Sequence, residues 1–287
     1  MQTLNLISKE KSDIGYNIFK FPDGEIQITL GEIDRKQHIE VKCRITNAED
    51  LFIMMQVNDV LTRQGVIWDL DIFYLMGMRM DRVMDFNRPY TLNVVASCIR
   101  NFSCRQVRVL EPHSDVTLHL LNAKELNVLL PADPVLHFGT VQFWDNYNLV
   151  IPDKGAYERL RNRVPLDSNP VICEKKRDIS TGAIVSIEVT NPDAVLNASR
   201  PLVVLDDLCD GGGTFCGIAE AIRKIRPDVR LEIFVTHMVN PKGIENLSKN
   251  FDHVYFTNSY NNWDGYKAEY GKAVSALPEN VTQIEII

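Results

Sequence analysis

The run Leu202-Val203-Val204-Leu205-Asp206-Asp207-Leu208-Cys209-Asp210-Gly211-Gly212-Gly213-Thr214 constrains the fold more than any other part of the chain. Four consecutive β-formers describe a buried strand, and that strand delivers two carboxylates to its C-terminal edge. The glycines that follow let backbone N–H groups approach an anion closely, and a helix N-terminus then adds its dipole. Phosphate suits the loop, and the paired acids suit ribose hydroxyls. No Lys follows the glycines, so this is not a Walker loop, and the spacing is not the dinucleotide GxGxxG fingerprint. A strand ending in Asp-Asp at a turn is common by itself; the β-formers before it and GGGT after it make an anion site.

The rest of the chain repeats the strand–loop–helix rhythm. Strands are predicted at Ile26–Leu30 and Ile39–Arg44, as an early antiparallel pair, and at Asp71–Leu75, Gln106–Leu110, Asn148–Ile151, Val171–Glu174, Ala183–Val189, Leu231–Thr236 and Val254–Phe256. Helices are predicted at Leu51–Gln64, Pro89–Arg100, Tyr157–Arg163 and Thr214–Ile225. Such alternation predicts an α/β fold whose parallel sheets bind ligands at the strand C-termini. Pro131–Pro134 marks a junction, giving domains over 1–132 and 133–270 and a tail over 271–287 that returns to the first domain.

With 45% hydrophobic and 24% charged residues, the chain has material for a sizeable core. Its net charge of −7 leaves no overall field to attract nucleic acid or an anionic membrane. Phosphates must therefore be held by local devices. No run of about 18 apolar residues occurs, which argues against a spanning helix. The six cysteines form no CxxC pair and suit a reducing cytoplasm; Cys209 and Cys216, flanking the glycines, read as small loop residues. The first residues do not resemble a signal peptide.

The Asp-Asp loop resembles the ribose-phosphate loop of type I phosphoribosyltransferases, Asp-Asp-x-x-x-Thr-Gly-x-Thr. Five further segments resemble, in order, motifs of the ribose-phosphate diphosphokinases (PRPP synthetases), which share that fold. Phe21-Pro22-Asp23-Gly24-Glu25 matches the family's PDGE turn, and Met78-Arg79-Met80-Asp81-Arg82 its Ala-Arg-Gln-Asp-Arg run. Glu111-Pro112-His113-Ser114 matches Asp-Leu-His-Ser, and Asn148–Arg159 matches Val-Val-Ser-Pro-Asp-x-Gly-Gly. Glu174-Lys175-Lys176-Arg177 matches Lys-Arg-Arg, while Thr236-His237 and Thr257-Asn258 match downstream pairs. The resemblance spans about residues 17–260. Only the Asp-Asp loop is specific alone; an isolated PDGE is an ordinary turn, and a lone His after a strand is more often structural.

The resemblance implies two phosphoribosyltransferase-like domains, each a mostly parallel sheet flanked by helices. It implies Mg²⁺-dependent transfer of the β,γ-pyrophosphate of ATP to the anomeric hydroxyl of a 5-phosphorylated ribose, releasing AMP. Phe21, Asp23 and Glu25 would bind adenine, completed by a second subunit of a dimer or hexamer. Arg79, Asp81 and Arg82 would serve the ATP polyphosphate. Lys175, Arg177 and His113 would be catalytic, with His113 and Asp153 as metal ligands. Asp206 and Asp207 would orient the ribose hydroxyls, and Asp210, Gly211, Gly212, Gly213 and Thr214 would hold its phosphate. No general base is identifiable.

Three departures stand out. Met80 replaces a Gln. Ala156 replaces the second Gly of its motif and is expected to narrow backbone access. Gly211 replaces a Thr whose hydroxyl donates to a terminal phosphate, a bond of about 1–3 kcal/mol when the partner is charged. The lost side chain also opens space that suits a phosphodiester-type acceptor, so ADP-ribose stands beside ribose 5-phosphate. A phosphoribosyltransferase consuming PRPP, and a silent homologue that regulates an active synthetase, are the alternatives.

Overall fold

The computed structural model describes residues 1–126, 146–160, 169–177, 184–263 and 276–287. The chain divides into two units, Met1–Val128 with Ile287, and Leu129–Ile286. The Pro131–Pro134 junction lies outside the described residues.

The first unit is built on a five-stranded, all-parallel sheet in the order β1-β4-β5-β6-β7. Its strands are β1 (Gln2–Asn5), β4 (Ile39–Ile45), β5 (Trp68–Leu75), β6 (Gln106–Val109) and β7 (Lys124–Glu125). Helices α1 (Ala48–Gln64), α2 (Thr91–Ile99) and α3 (Asp115–Leu121) connect β4 through β7. Strand β4 alternates, burying Ile39, Val41, Cys43 and Ile45. Helix α1 begins where the Asn47 side chain accepts from the Asp50 N–H and ends at Gly65, whose φ of 68° is the left-handed cap glycine tolerates. Its buried residues Ile53, Met54, Val57 and Leu61 share one face and pack into the same core as β4 and β5.

One expected pairing is wrong. Ile26–Leu30 (β3) does not pair with Ile39–Ile45. It forms an antiparallel hairpin with β2 (Tyr16–Lys20), while β4 runs parallel to β1 and β5. Helix α2 also starts later than expected, at Thr91, leaving Pro89 in the preceding loop.

Strand β5 carries two buried acids, Asp69 and Asp71, among apolar neighbours. Arg105 engages Asp69 with Nε and Nη2 at 3.0 and 2.7 Å, and His38 Nε2 lies 3.2 Å from its Oδ2. Arg108 engages Asp71 with the same two nitrogens and donates to Glu40 Oε1 at 2.7 Å. Burial, opposed by Arg108 and reinforced by Glu40, raises the Asp71 pKa from 3.8 to about 6. The folded state therefore holds this proton more tightly than the unfolded chain. The Asp71 contribution to stability is full below about pH 4 and is lost as pH rises through about 6. Asp71→Asn should flatten that part of a urea-denaturation pH profile; an unchanged slope would reject the assignment.

The second unit has a seven-stranded sheet in the order β10-β9-β8-β11-β12-β13-β14. The strands are β8 (Asn148–Ile151), β9 (Val171–Arg177), β10 (Ile184–Val189), β11 (Leu202–Cys209), β12 (Leu231–Met238), β13 (His253–Thr257) and β14 (Val281–Ile284). All neighbours are parallel except the β9–β10 ribbon. Helices α4 (Lys154–Leu160), α5 (Pro192–Leu196), α6 (Gly213–Ile225) and α7 (Pro241–Asn250) accompany it. Helix α6 buries Phe215, Ile218, Ala219 and Ile222 against the central strands. The expected helix over Tyr157–Arg163 begins three residues earlier, and its last three residues lie outside the described ones. Within the tail, Val281–Ile284 extends the second sheet beside β13, and Ile287 groups with the first unit.

Candidate active site

In the second unit, β11 and α6 place the candidate ribose-phosphate site. Leu202 through Leu205 are fully buried, so the strand is fixed by its core and its C-terminal end is held firmly. Asp206 and Asp207 lie in its C-terminal half, with Asp207 only 3% exposed, and the strand continues past them to Cys209. Gly212 caps α6 with a φ of 78°, a conformation that excludes most other residues. Gly213 and Thr214 open the helix. Cys209 ends β11, and Cys216 lies inside α6 rather than in the loop; all six cysteines are free thiols.

The two acids are not left unpaired. Arg159, from α4, reaches both with Nη2, 2.8 Å from Asp207 Oδ1 and in contact with Asp206 Oδ1. Burial raises the Asp206 pKa well above the usual carboxylate range, the Asp207 charge adds to this, and Arg159 opposes it. Arg159 lies within a segment the sequence singles out, yet its role does not show there because its partners lie about fifty residues on.

Beside this cluster, Asp153 Oδ2 accepts from Lys175 Nζ at 2.6 Å, and its Oδ1 accepts from the Ala156 N–H at 2.9 Å. Burial raises the Asp153 pKa, but the Lys175 and Ala156 hydrogen bonds outweigh it and hold the carboxylate below its ordinary value. Ala156 does not narrow the loop. Its side chain is fully buried in a small core with Leu149, Ile151 and Leu205, and its N–H caps the acid. Lys175 stands on β9, paired with Ile187 of β10, so it belongs to a ribbon rather than a free loop. Arg177 ends the same strand, and its side chain lies outside the described residues.

The first unit carries the other expected residues on two features. Phe21, Asp23 and Glu25 form the tip of the β2–β3 hairpin. There the Phe21 N–H donates to the Glu25 carbonyl at 2.7 Å, and the Glu25 N–H to Asp23 Oδ1 at 3.1 Å. Gln56 of α1 anchors the hairpin, accepting from the Ile28 N–H and donating to the Ile26 carbonyl at 3.0 and 2.9 Å. Phe21 is 41% exposed, packs edge-on to Phe19 at 4.6 Å, and helps line a cleft of about 920 Å³ with Phe52 and Met55. An aromatic face with carboxylates beside it is suited to a purine.

Arg79, Asp81 and Arg82 follow β5, and His113 follows β6. These loops meet, since Ser114 Oγ donates to Asp81 Oδ2 at 2.8 Å. Arg79 and Arg82 are exposed, and Met80, where the expected polar residue is missing, is 49% exposed. Glu111 adopts a φ of 36°, uncommon for a residue with a side chain, in the turn that leads to His113.

Among the described residues no three His, Cys, Asp or Glu side chains cluster as a ready metal cage. The donor chemistry nevertheless suits Mg²⁺, which keeps several waters and takes one or two carboxylates plus substrate phosphates. Asp153 is such a carboxylate. Its Oδ2 now holds an ammonium that a cation would replace.

Arg159→Gln should raise the KM for a ribose-phosphate acceptor about tenfold or more, because two adjacent buried carboxylates lose their shared cation. Arg159→Lys should recover part of this. Steady-state kinetics check it; an unchanged KM in Arg159→Gln contradicts the role.

No family model matches the chain. It is 28% identical over 244 residues to the ribose-phosphate pyrophosphokinase of Xanthomonas campestris pv. campestris, covering 80% of this chain and 73% of that protein. It is 26% identical over 254 residues to the ribose-phosphate pyrophosphokinase of Pyrococcus furiosus, covering 88% of each. The phosphoribosylpyrophosphate synthetase of Mycobacterium smegmatis matches with a TM-score of 0.73 and 17% identity, over 97% of this chain and 88% of that one. Over most of its length in sequence, and over nearly all of it in fold, this chain is similar to ribose-phosphate pyrophosphokinases.

Proposed function

We propose that the protein transfers the β,γ-pyrophosphate of ATP to the anomeric hydroxyl of a 5-phosphorylated ribose. The observation that carries this reading is the Asp206–Asp207 pair in the C-terminal half of β11, three residues before the glycine loop that opens α6, in a chain similar to ribose-phosphate pyrophosphokinases. The acceptor's O1 attacks the β-phosphorus, the bond from that phosphorus to the α,β-bridging oxygen breaks, AMP leaves, and the O1 proton is lost. Such chemistry asks the protein for positioning and charge neutralisation.

Asp206 and Asp207 accept hydrogen bonds from the ribose diol while Arg159 balances their charge, and the amides of Gly211 through Thr214 hold the 5-phosphate. Lys175 and Arg177 neutralise the transferred group. Arg79 and Arg82 hold the ATP polyphosphate beside His113, and Phe21 with Asp23 and Glu25 receives adenine, completed by a second copy of the chain. Mg²⁺, with the Asp153 carboxylate among its ligands, would neutralise polyphosphate charge. Reduced thiols and the use of ATP suit the cytoplasm.

A second acceptor, ADP-ribose, is favoured by one observation. A Cβ at Gly211 would meet nothing within 4 Å among the described residues, which leaves space beside the loop there. The test is incubation with Mg²⁺ and ATP plus ribose 5-phosphate or ADP-ribose, read for AMP and the acceptor 1-pyrophosphate by mass. Turnover of either supports the reaction, and Gly211→Thr should shift preference toward ribose 5-phosphate. AMP from neither acceptor contradicts the reading. Binding of ATP without turnover would then favour a silent regulatory homologue, and consumption of PRPP with a nucleobase a phosphoribosyltransferase.

A further inference from the structure

Three consecutive glycines form the candidate phosphate loop, and glycine has the largest conformational freedom of any residue. Amides bind an anion well only when they already point at it. Something other than the loop's own side chains must therefore fix its path.

Helix α7 meets that need at four points. Asn240, its N-cap, donates from Nδ2 to Asp210 Oδ1 at 3.0 Å, while its Oδ1 accepts from the Lys242 N–H. Asn246, one and a half turns on, donates from Nδ2 to the Gly211 carbonyl at 2.7 Å. Between them Gly243 lies flat against the loop, since a Cβ there would stand 2.2 Å from the Asp210 carbonyl oxygen and 3.0 Å from Cys209 Sγ. Gly212 packs in turn on α7, and a Cβ at that position would lie 3.4 Å from Leu247 Cδ2. Asp210, Gly211 and Gly212 are thus each seated on one face of α7. The Asp210 carboxylate is turned to Asn240, which gives it a part in holding the loop.

We propose that α7 is the mould of the phosphate loop, with Asn240, Gly243 and Asn246 as positioning residues for the phosphorylated acceptor. This deepens the proposed function by naming what presets its acceptor subsite. None of the three residues needs to touch the acceptor.

The test uses Asn246→Ala and Asn240→Ser, the latter keeping a helix-capping oxygen while losing the reach to Asp210. Each should raise the KM for ribose 5-phosphate about tenfold while leaving the KM for ATP within about twofold. Adding Gly211→Ala to Asn246→Ala should recover about threefold or more, because it removes loop freedom and its Cβ meets no atom within 4 Å among the described residues. Hydrogen exchange of the peptide spanning 209–214 in ligand-free protein should be about tenfold faster in Asn246→Ala, with β11 unchanged. Unchanged acceptor KM and unchanged exchange in both variants would overturn the proposal. So would equal rises in both KM values without rescue. A wild-type protein that makes no AMP from either acceptor removes the proposed function, and the exchange rates then decide the mould by themselves.

Discussion

Lys175→Ala is expected to lower kcat for AMP formation about 10²- to 10³-fold, the usual loss when one preorganised charge-stabilising group is removed. Lys175 is fixed by the β9–β10 ribbon, is mostly buried, and its ammonium stands 2.6 Å from Asp153 Oδ2. In the resting protein that contact balances the charge. In the proposed reaction that ammonium would serve the transferred group, with Mg²⁺ supplying the carboxylate's counter-charge. Arginine is not an equivalent at this position, because its planar fork replaces a compact point charge. Lys175→Arg should therefore recover less than a tenth of the lost rate. Rapid-quench measurement of AMP with thermal unfolding in parallel checks both points; a loss below tenfold in folded Lys175→Ala would remove Lys175 from the chemistry.

Arg108→Met is expected to destabilise the first unit by about 3–5 kcal/mol, the cost of leaving buried charges without their partner. Arg108 serves Asp71 and Glu40 together, and Asp71 is 3% exposed. Once the guanidinium is gone, two acids are left as diagonal neighbours across β4 and β5, where Glu40 pairs with Asp69 and Lys42 with Asp71. Lys42, 3.4 Å from Glu40, offsets only part of that charge. Adding Asp71→Asn should return much of the loss, since one of the stranded charges is then neutral. Urea denaturation of the three variants measures this; a loss below about 1 kcal/mol in Arg108→Met would show that solvent or Lys42 already satisfies the acids.

The parts of this fold legible in sequence are those whose signal is local. The strand at Leu202, the Asp-Asp edge and the glycine loop announce themselves within thirteen residues, because burial, charge and turn chemistry follow one another there. Helix α1 and strands β8 and β12 read nearly as clearly from apolar spacing. What failed needed information from elsewhere in the chain. Tyr16–Lys20 is a half-exposed strand with no long apolar run, so Ile26–Leu30 was assigned the wrong partner. Helix α7 has only Gly243, Ile244 and Leu247 buried among polar residues, too sparse a stripe to mark it, and so the residues that seat the loop went unseen. Arg159 meets its acids only through the pairing of β8 with β11. Ala156, which reads as an obstruction, is a core residue, because the direction of its side chain is set by α4 and not by its neighbours in sequence.

Positional label measures the class of reaction most directly. With ATP labelled at its β-phosphorus, Mg²⁺, and ribose 5-phosphate or ADP-ribose, the label should appear wholly in the acceptor's 1-pyrophosphate while AMP stays unlabelled. Label found instead in ADP, or in free pyrophosphate without an acceptor product, would contradict pyrophosphoryl transfer and with it the roles given to Lys175, Asp206 and Asp207.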